Sequence, residues 1–183
     1  MSLYQTALSE LAVVFSRLDD AAVDTVVGRL AQARRIVVFG GGRERLQIMG
    51  FAMRMFHMGL QAAVEGDMTT PAVGKGDLLL VTCGPGWIST AHALMQVARS
   101  AGAEVILITA QPSSRCGALA DLVLHLPAQT MADDQGTAAT SVLPMGSLFE
   151  GALFVLFEVM VLKLKARLGI TADAMRANHT NLE

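Results

Sequence analysis

Two segments of the chain share a pattern in which an apolar run ends in glycines and then opens into an amphipathic helix. The first is RIVVFGGGRERLQIMGFAMRMFHMG at 35–59, and the second is DLLLVTCGPGWISTAHALMQVARSAG at 77–102. A strand followed by such a turn places free backbone N–H groups and the positive end of a helix dipole at the carboxyl edge of a sheet. The first glycine turn (40–45) and the second glycine turn (83–90) are therefore predicted to hold a phosphate or another anion.

The common cofactor patterns do not fit these turns or the rest of the chain. Arg45 stands where the dinucleotide fingerprint G-x-G-x-x-G requires its third glycine, which excludes an NAD site. The four histidines are scattered without the spacing of metal ligands. Cys83 and Cys116 form neither a CxxC motif nor a disulfide framework, so a reducing compartment suffices. No metal and no cofactor are expected.

The settings of three titratable residues bear on their chemistry. Glu150 lies near the start of an apolar segment, where desolvation would raise its pKa, the direction that a base working near neutral pH requires; the alternative is a glutamate that only stabilises a helix N-terminus. His179 lies near the chain end, where a histidine is commonly exposed and without a role. His57 is a candidate polar group in the cleft, although a histidine among methionines and a phenylalanine is often a core residue.

The elements that must position these residues alternate along the chain. Near-continuous apolar runs predict strands at 35–39, 61–64, 77–82, 104–109 and 122–126, with helices at 43–58, 87–101 and 113–120. Strands that are apolar on both sides are typical of a parallel sheet covered by helices on both faces. The chain is therefore predicted to be an α/β protein, a three-layer αβα sandwich with a five-stranded parallel sheet and right-handed crossovers.

The flanking segments complete the predicted organisation of one domain over 1–183. The N-terminal helical segment, 1–33, holds one or two amphipathic helices, the α/β core runs over 34–170, and a short C-terminal helix and tail occupy 171–183. Within the core, 127–144 reads as a long loop of the kind that is often functional. It leads to a long helix at 148–169, and the charges of Glu150 and Glu158 make this helix a core or interface element rather than a membrane span.

Composition narrows the partners. The 183 residues carry 14 Lys and Arg against 16 Asp and Glu, a formal charge of -2, without a basic cluster for nucleic acid or an anionic membrane. The apolar share of 52%, with 11 Met, exceeds the needs of a monomer core and predicts a homo-oligomer. The N-terminus lacks the unbroken apolar run of a secretion signal, so a cytoplasmic protein is expected.

Six segments in order resemble the sugar isomerase (SIS) domain, and within it the 6-phospho-3-hexuloisomerase family. They are VVFGGGR at 37–43, FAMRMFHMGL at 51–60, GDMTTPAVGKGDLLL at 66–80, GALADLVLHLPAQT at 117–130, PMGSLFE at 144–150 and MRANHTNLE at 175–183. A single glycine-rich turn after a strand is common in α/β proteins. Six matches with the right spacing are specific.

The resemblance implies a flavodoxin-like SIS fold and a phosphosugar isomerase that moves a carbonyl along an open-chain ketose through an enediol, without metal or nucleotide. It places the base at Glu150 and an assisting histidine at His179, which reaches the site within a dimer or tetramer. It also implies that Thr69 and Thr70 border the cleft, although both could simply form a turn. The residues assigned to substrate binding are Gly40, Gly42, Arg43, Glu44, Arg45, Thr69, Thr70, Cys83, Gly84, Gly86, Trp87, Ser89 and Thr90.

The second glycine turn departs from the family pattern Ser-Gly-Ser-Gly-Glu/Asp-Thr. Here the sequence is CGPGWI at 83–88, so three hydroxyls are missing and Pro85 also removes a backbone N–H. Ser89 and Thr90 are the hydroxyls that remain nearby. Trp87 could be a stacking platform for a sugar ring or an ordinary packing residue. This turn suits a less charged ligand, or a phosphate held in a different way.

The first glycine turn departs as well, because Glu44 replaces a serine of the family's Arg-Ser-Gly. Two like charges about 5 Å apart at an effective dielectric constant of about 20 repel by roughly 3 kcal/mol, so an inward Glu44 would oppose a phosphate. Alternatively, Glu44 turns outward or pairs with Arg43 or Arg45. Two functions stay open: a hexulose phosphate isomerase, or a non-catalytic sugar or sugar-phosphate sensor with a degraded phosphate loop.

Overall fold

The computed structural model describes residues 2–182, and Met1 and Glu183 lie outside it. Five parallel strands form one sheet in the order β2-β1-β3-β4-β5. Their bounds are β1 Ile36–Gly40, β2 Ala62–Val64, β3 Leu78–Thr82, β4 Glu104–Thr109 and β5 Leu122–His125. The predicted five-stranded parallel sheet is confirmed, with each strand within about two residues of its expected bounds.

The six α-helices complete a three-layer sandwich, as the sequence predicts. They are α1 Leu3–Ser16, α2 Asp20–Gln32, α3 Glu44–His57, α4 Ser89–Ser100, α5 Ser147–Leu168 and α6 Ala172–Ala177. Helices α1, α2, α3 and α5 share one buried apolar cluster with the sheet, and α4 packs on the opposite face. No helix within residues 2–182 has the length and apolar character needed to cross a membrane.

The strands are apolar on both sides because each side faces a helical layer. In β1, Ile36 and Val38 belong to the cluster that contains α3 and α5, while Val37 and Phe39 belong to the cluster that contains α4. Neighbouring strands repeat this alternation in register, with Ile36 opposite Leu78. Burial of both sides removes the period-two polarity of a half-exposed strand.

Local side-chain contacts fix several helix starts. Helix α1 begins with a capping box between Ser2 and Gln5, and Asp19 caps α2. The Thr171 hydroxyl accepts the N–H of Ala174 at 3.1 Å and starts α6. Only this half of a capping box forms there, because position 174 has no side chain that could reach back.

One predicted helix is wrong. The segment 113–120 contains only a 3₁₀ turn at Gly117–Leu119 instead of an α-helix. The Ser114 hydroxyl accepts the backbone N–H of Gly117 at 3.1 Å, as a helix cap does. The turn stays short because the Cys116 N–H donates to the Gly86 oxygen at 3.3 Å and the chain is already extended at Ala120. The predicted long loop at 127–144 is mostly irregular, with a 3₁₀ turn at Gly136–Ala138.

The strand order creates a switch point between β1 and β3. The chain passes from β1 to β2 on one side and then returns to place β3 on the other side. In open parallel sheets, ligands bind at the carboxyl ends of the strands where the order reverses. The two glycine turns follow β1 and β3, so the fold brings both of them to this point.

Candidate functional site

A cavity of about 300 Å³ lies at the carboxyl ends of β1 and β3. It is enclosed by the two glycine turns, the first turn of α5 and the loop between β5 and α5, which is called the 127–146 loop below. This loop contributes residues from near its start and from its end. Its lining residues are Gly41, Gly42, Arg43, Glu44, Pro85, Ile88, Thr130, Met131, Met145, Gly146, Phe149 and Glu150. The volume is at the small end of the range for small-molecule sites.

Three helices start at this cavity with no side-chain cap among the described residues. Their N-cap residues are Arg43 for α3, Ile88 for α4 and Gly146 for α5, and all three line the cavity. An uncapped helix start leaves backbone N–H groups and a partial positive charge at the helix end. The cavity therefore favours an anionic or hydrogen-bond-accepting ligand.

Arg43 connects the base candidate to the loop that precedes α5. Its guanidinium lies 3.0 Å from a carboxylate oxygen of Glu150 and donates to the backbone oxygen of Met145 at 2.7 Å. It also donates to the Ser147 hydroxyl at 3.2 Å. Burial raises the pKa of Glu150, and Arg43 offsets part of that rise. The Glu150 carboxylate is thus held in one orientation at the cavity wall.

Glu44 points into the protein, contrary to the alternatives in which it turns outward or pairs with an arginine. The residue is only 7% exposed, and its Oε1 accepts the backbone N–H of Gly84 at 3.0 Å. The Arg45 guanidinium instead donates to the backbone oxygen of Glu65 at 2.6 Å and lies 3.5 Å from the Glu65 carboxylate. Neither Glu44 Oε2 nor Thr82 Oγ1 has a hydrogen-bond partner within residues 2–182.

The pKa of Glu44 is raised from 4.5 to about 7. Burial is the main cause, because it disfavours the charged carboxylate. The Gly84 N–H and the nearby Thr82 hydroxyl offset part of the rise, and the charge of Glu150 adds to it. The site therefore holds two carboxylates, and one of them changes its protonation near neutral pH.

The glycines of both turns allow close backbone approach. A Cβ on Gly40 would lie 2.7 Å from Thr82 Oγ1, and one on Gly84 would lie 2.9 Å from the Phe149 ring. Gly86 has a φ of +80°, and a Cβ there would lie 2.6 Å from side-chain carbons of Gln111 and Ser114. Gly42 has a φ of +56° and open space around it. The absence of a side chain at Gly40 and Gly84 lets β1, β3 and α5 approach closely, and the left-handed backbone at Gly42 and Gly86 favours glycine.

Other predicted residues of the second turn surround the cavity without lining it. Cys83 is buried, and burial raises the pKa of its thiol. Ser89 and Thr90 are exposed at the start of α4. Trp87 is 46% exposed, and the Arg115 guanidinium lies 5.3 Å from its ring centroid. Pro85 and Ile88, which replace hydroxyl residues of the family pattern, do line the cavity and make that wall apolar.

Thr69 and Thr70 lie elsewhere. Thr69 lines a separate groove of about 630 Å³ beside β2 and α3. The Thr70 hydroxyl donates to the backbone oxygens of Val64 and Asp67, at 2.6 and 2.7 Å, as a turn residue does. Within one protomer, the structure does not bring either threonine into the cavity.

His57 and His179 lie together at the far end of α3. Their ring centroids are 5.0 Å apart, and Asn178 donates to the His57 backbone oxygen at 3.0 Å. Glu44 begins α3 and His57 ends it, so a 14-residue helix separates the two ends by about 20 Å. His179 therefore cannot act together with Glu150 within one protomer.

The sequence interpretation missed the wall formed by Thr130, Met131, Gly146 and Phe149. The signal available was the loop at 127–144, whose end carries the PMGSLFE segment at 144–150. Gly146 has a φ of +77°, and a Cβ there would lie 3.3 Å from the Met131 backbone nitrogen. Within residues 2–182, no group of three or more His, Cys, Asp or Glu side chains is arranged to hold a metal ion.

The fold and this site define an SIS domain protein: the SIS domain family matches residues 29–156, and the chain belongs to that family. Among its relatives is a 3-hexulose-6-phosphate isomerase of Mycobacterium gastri, 36% identical over 95% of this chain and 86% of the relative. Another is a 3-hexulose-6-phosphate isomerase of Bacillus subtilis, 31% identical over 96% of this chain and 95% of the relative.

A similar solved structure is that of a hypothetical protein from Methanococcus jannaschii, for which a molecular function of 3-hexulose-6-phosphate isomerase was inferred. It has a TM-score of 0.85 and 24% identity, and the match covers 98% of both chains. The structural likeness confirms the SIS-type fold.

Proposed function

We propose that the protein is a hexulose phosphate isomerase of the 6-phospho-3-hexuloisomerase type, with Glu150 as the catalytic base. The observation that carries this proposal is the position of the Glu150 carboxylate, which lines the cavity and is fixed by Arg43 at 3.0 Å. The names of the relatives support the substrate class. The uncapped helix starts around the cavity support the binding of an anionic sugar.

The proposed reaction moves a carbonyl from C3 to C2 of an open-chain hexulose 6-phosphate. Glu150 removes the proton from C2 while the oxygen on C3 takes up a proton, which gives an enediol between the two carbons. The hydroxyl on C2 then loses its proton, and the proton held by Glu150 returns to C3. The Arg43 guanidinium is positioned beside Glu150 to stabilise the charge that develops on the enediol oxygens.

His179 assists only if a second protomer supplies it, because its own protomer keeps it at the opposite end of α3. A homo-oligomer, dimer or tetramer, is part of the proposal. Its support is a set of exposed apolar side chains on α3 and α5 that another copy would cover: Leu46, Met49, Met53, Phe56, Phe154 and Leu162.

A second candidate is a non-catalytic sugar or sugar-phosphate sensor. Two features of the second glycine turn favour it. Glu44 accepts the hydrogen bond of the Gly84 N–H, and Pro85 and Ile88 stand where the family pattern has hydroxyl residues. A sensor would be stabilised thermally by a sugar phosphate that it never converts.

The test is exchange of substrate carbon-bound protons with solvent deuterium, followed by NMR, over a panel of ketose and aldose phosphates. We expect exchange at C2 and C3 of the accepted substrate, and its loss in Glu150→Gln by about 10²-fold or more. The matched control is Glu104→Gln, which removes a partly exposed carboxylate at the first residue of β4, away from the cavity and from the exposed apolar side chains of α3 and α5. Stabilisation by a sugar phosphate without exchange would refute the isomerase and support the sensor.

A further inference from the structure

The carboxyl group of Glu44 already accepts a hydrogen bond from a backbone N–H of the second glycine turn. The N–H of the buried residue Gly84 lies next to Pro85, which lines the cavity, and it donates to Glu44 Oε1 at 3.0 Å. The other carboxylate oxygen, Oε2, is buried and has no hydrogen-bond partner among the described residues. An anion bound at this turn would therefore compete with Glu44 for the Gly84 N–H.

The charges around Glu44 do not neutralise it. The groups that act on it are Glu150 from α5, the Cys83 thiol after β3 and the neutral Thr82 hydroxyl at the end of β3. Arg43 lines the same cavity. Arg43 is paired with Glu150, so Glu44 in its ionised form leaves these side chains with a net charge of about -1. A protonated Glu44 brings the net charge to about zero and provides an O–H donor on the otherwise unpartnered oxygen.

We propose that Glu44 is a specificity-determining residue of the site, and that the anionic end of a substrate binds beside the second glycine turn only when Glu44 carries a proton. This inference rests on the proposed function only for the identity of the substrate. The coupling between anion binding and the protonation of Glu44 does not depend on that function. The site takes a sugar phosphate together with a proton, and it rejects the same ligand once Glu44 is ionised.

The coupling predicts a pH dependence of binding. Because the pKa of Glu44 is about 7, the binding-competent fraction falls about tenfold between pH 6 and pH 8, and the apparent affinity for an anion falls with it. At pH 7 about half a proton is taken up per ligand bound. The titration of the ligand's own phosphate occurs in the same range, so the comparison must be made between variants.

The experiment is isothermal titration calorimetry of the full chain with fructose 6-phosphate and with inorganic phosphate at pH 6, 7 and 8. Glu44→Gln keeps an acceptor for the Gly84 N–H and removes the charge, and Glu104→Gln is the control carboxylate. We expect the wild type and the control to lose about tenfold more affinity for fructose 6-phosphate than Glu44→Gln between pH 6 and pH 8. At pH 7, two buffers of different ionisation enthalpy should show about half a proton less taken up by Glu44→Gln.

Equal pH dependence in the wild type and in Glu44→Gln would overturn the proposal. Weaker binding by Glu44→Gln at pH 8, or no binding of either anion by this variant, would overturn it too, because a neutral residue should admit the anion. Glu44→Ser, which restores the hydroxyl of the family pattern, provides a second variant with the same expectation. Binding without isomerisation would refute the proposed function and leave this inference standing.

Discussion

The stability of the protein should depend on pH through Glu44. We expect Glu44→Gln to be more stable than the wild type at pH 8 and close to it at pH 5. Folding raises the pKa of Glu44 from 4.5 to about 7, so the folded state binds more protons than the unfolded state between these values. The contribution of Glu44 to stability is therefore most favourable below pH 4.5 and is lost as the pH rises through about 7.

The magnitude follows from the same rise in pKa. Each pKa unit corresponds to about 1.4 kcal/mol, so burying the ionised Glu44 costs ~3 kcal/mol above pH 7. About 2.5 kcal/mol of this falls between pH 5 and pH 8. For a chain of this length the difference is equivalent to about 5–10 °C in melting temperature at pH 8.

Urea unfolding followed by circular dichroism, at pH 5 and pH 8 and at one protein concentration, measures this effect. Glu104→Gln is the matched control, because its carboxylate is 31% exposed and lies 3.5 Å from the Arg29 guanidinium. The control should change the free energy of unfolding by less than about 1 kcal/mol at both pH values. The reasoning is refuted if Glu44→Gln shifts stability equally at both pH values, or if it destabilises the protein at pH 8.

Three further substitutions test other parts of the fold by denaturant unfolding. Asp77→Asn should cost about 1.5–3 kcal/mol at pH 7, because Arg34 donates twice to this carboxylate, at 2.9 and 2.8 Å. Arg34 also lowers the pKa of Asp77, so this loss of stability should shrink as the pH falls below the ordinary range of an aspartate and through the lowered pKa; a loss that stays constant down to acidic pH would contradict the pairing. Gly86→Ala should lower the free energy of unfolding by at least about 2 kcal/mol, because this residue has a left-handed φ and crowded neighbours. Gly50→Ala, in open space on α3, should raise it by up to about 1 kcal/mol. Equal effects of the two substitutions would refute the strain argument. Phe157→Ala should cost about 3–5 kcal/mol because the ring is buried in the core, and a loss under 1 kcal/mol would contradict its placement.

The sheet and its helices could be predicted because their signals are local. Runs such as those of β3 and β4 are apolar at every position, and only a sheet covered on both faces buries them fully. The segment 113–120 has a helical composition, but its Cys116 N–H donates to the Gly86 oxygen of the second glycine turn, and the chain is already extended at Ala120. The contact with Gly86 joins segments that are distant in the sequence, which local composition does not reveal.

The details of the site depended on distant partners. The inward direction of Glu44 is set by an N–H forty residues later in the chain, at Gly84. The position of His179 depends on contacts between the C-terminal tail and the end of α3, where Asn178 binds the His57 backbone. Sequence pattern identified both residues as candidates, but it could not give their partners, because neither partner lies in the same element.

Arg43 links the orientation of the Glu150 carboxylate to the conformation of the 127–146 loop. The same guanidinium holds that carboxylate and the backbone oxygen of Met145, a residue with a left-handed φ of 54°. Left-handed backbone is unfavourable for methionine, so the hydrogen bond to its oxygen helps to keep the loop end in place. Displacement of this loop end by a ligand would break the hydrogen bond from Arg43 to Met145 and allow the Glu150 side chain to reorient. A single arginine thus couples the conformation of the loop to the orientation of Glu150.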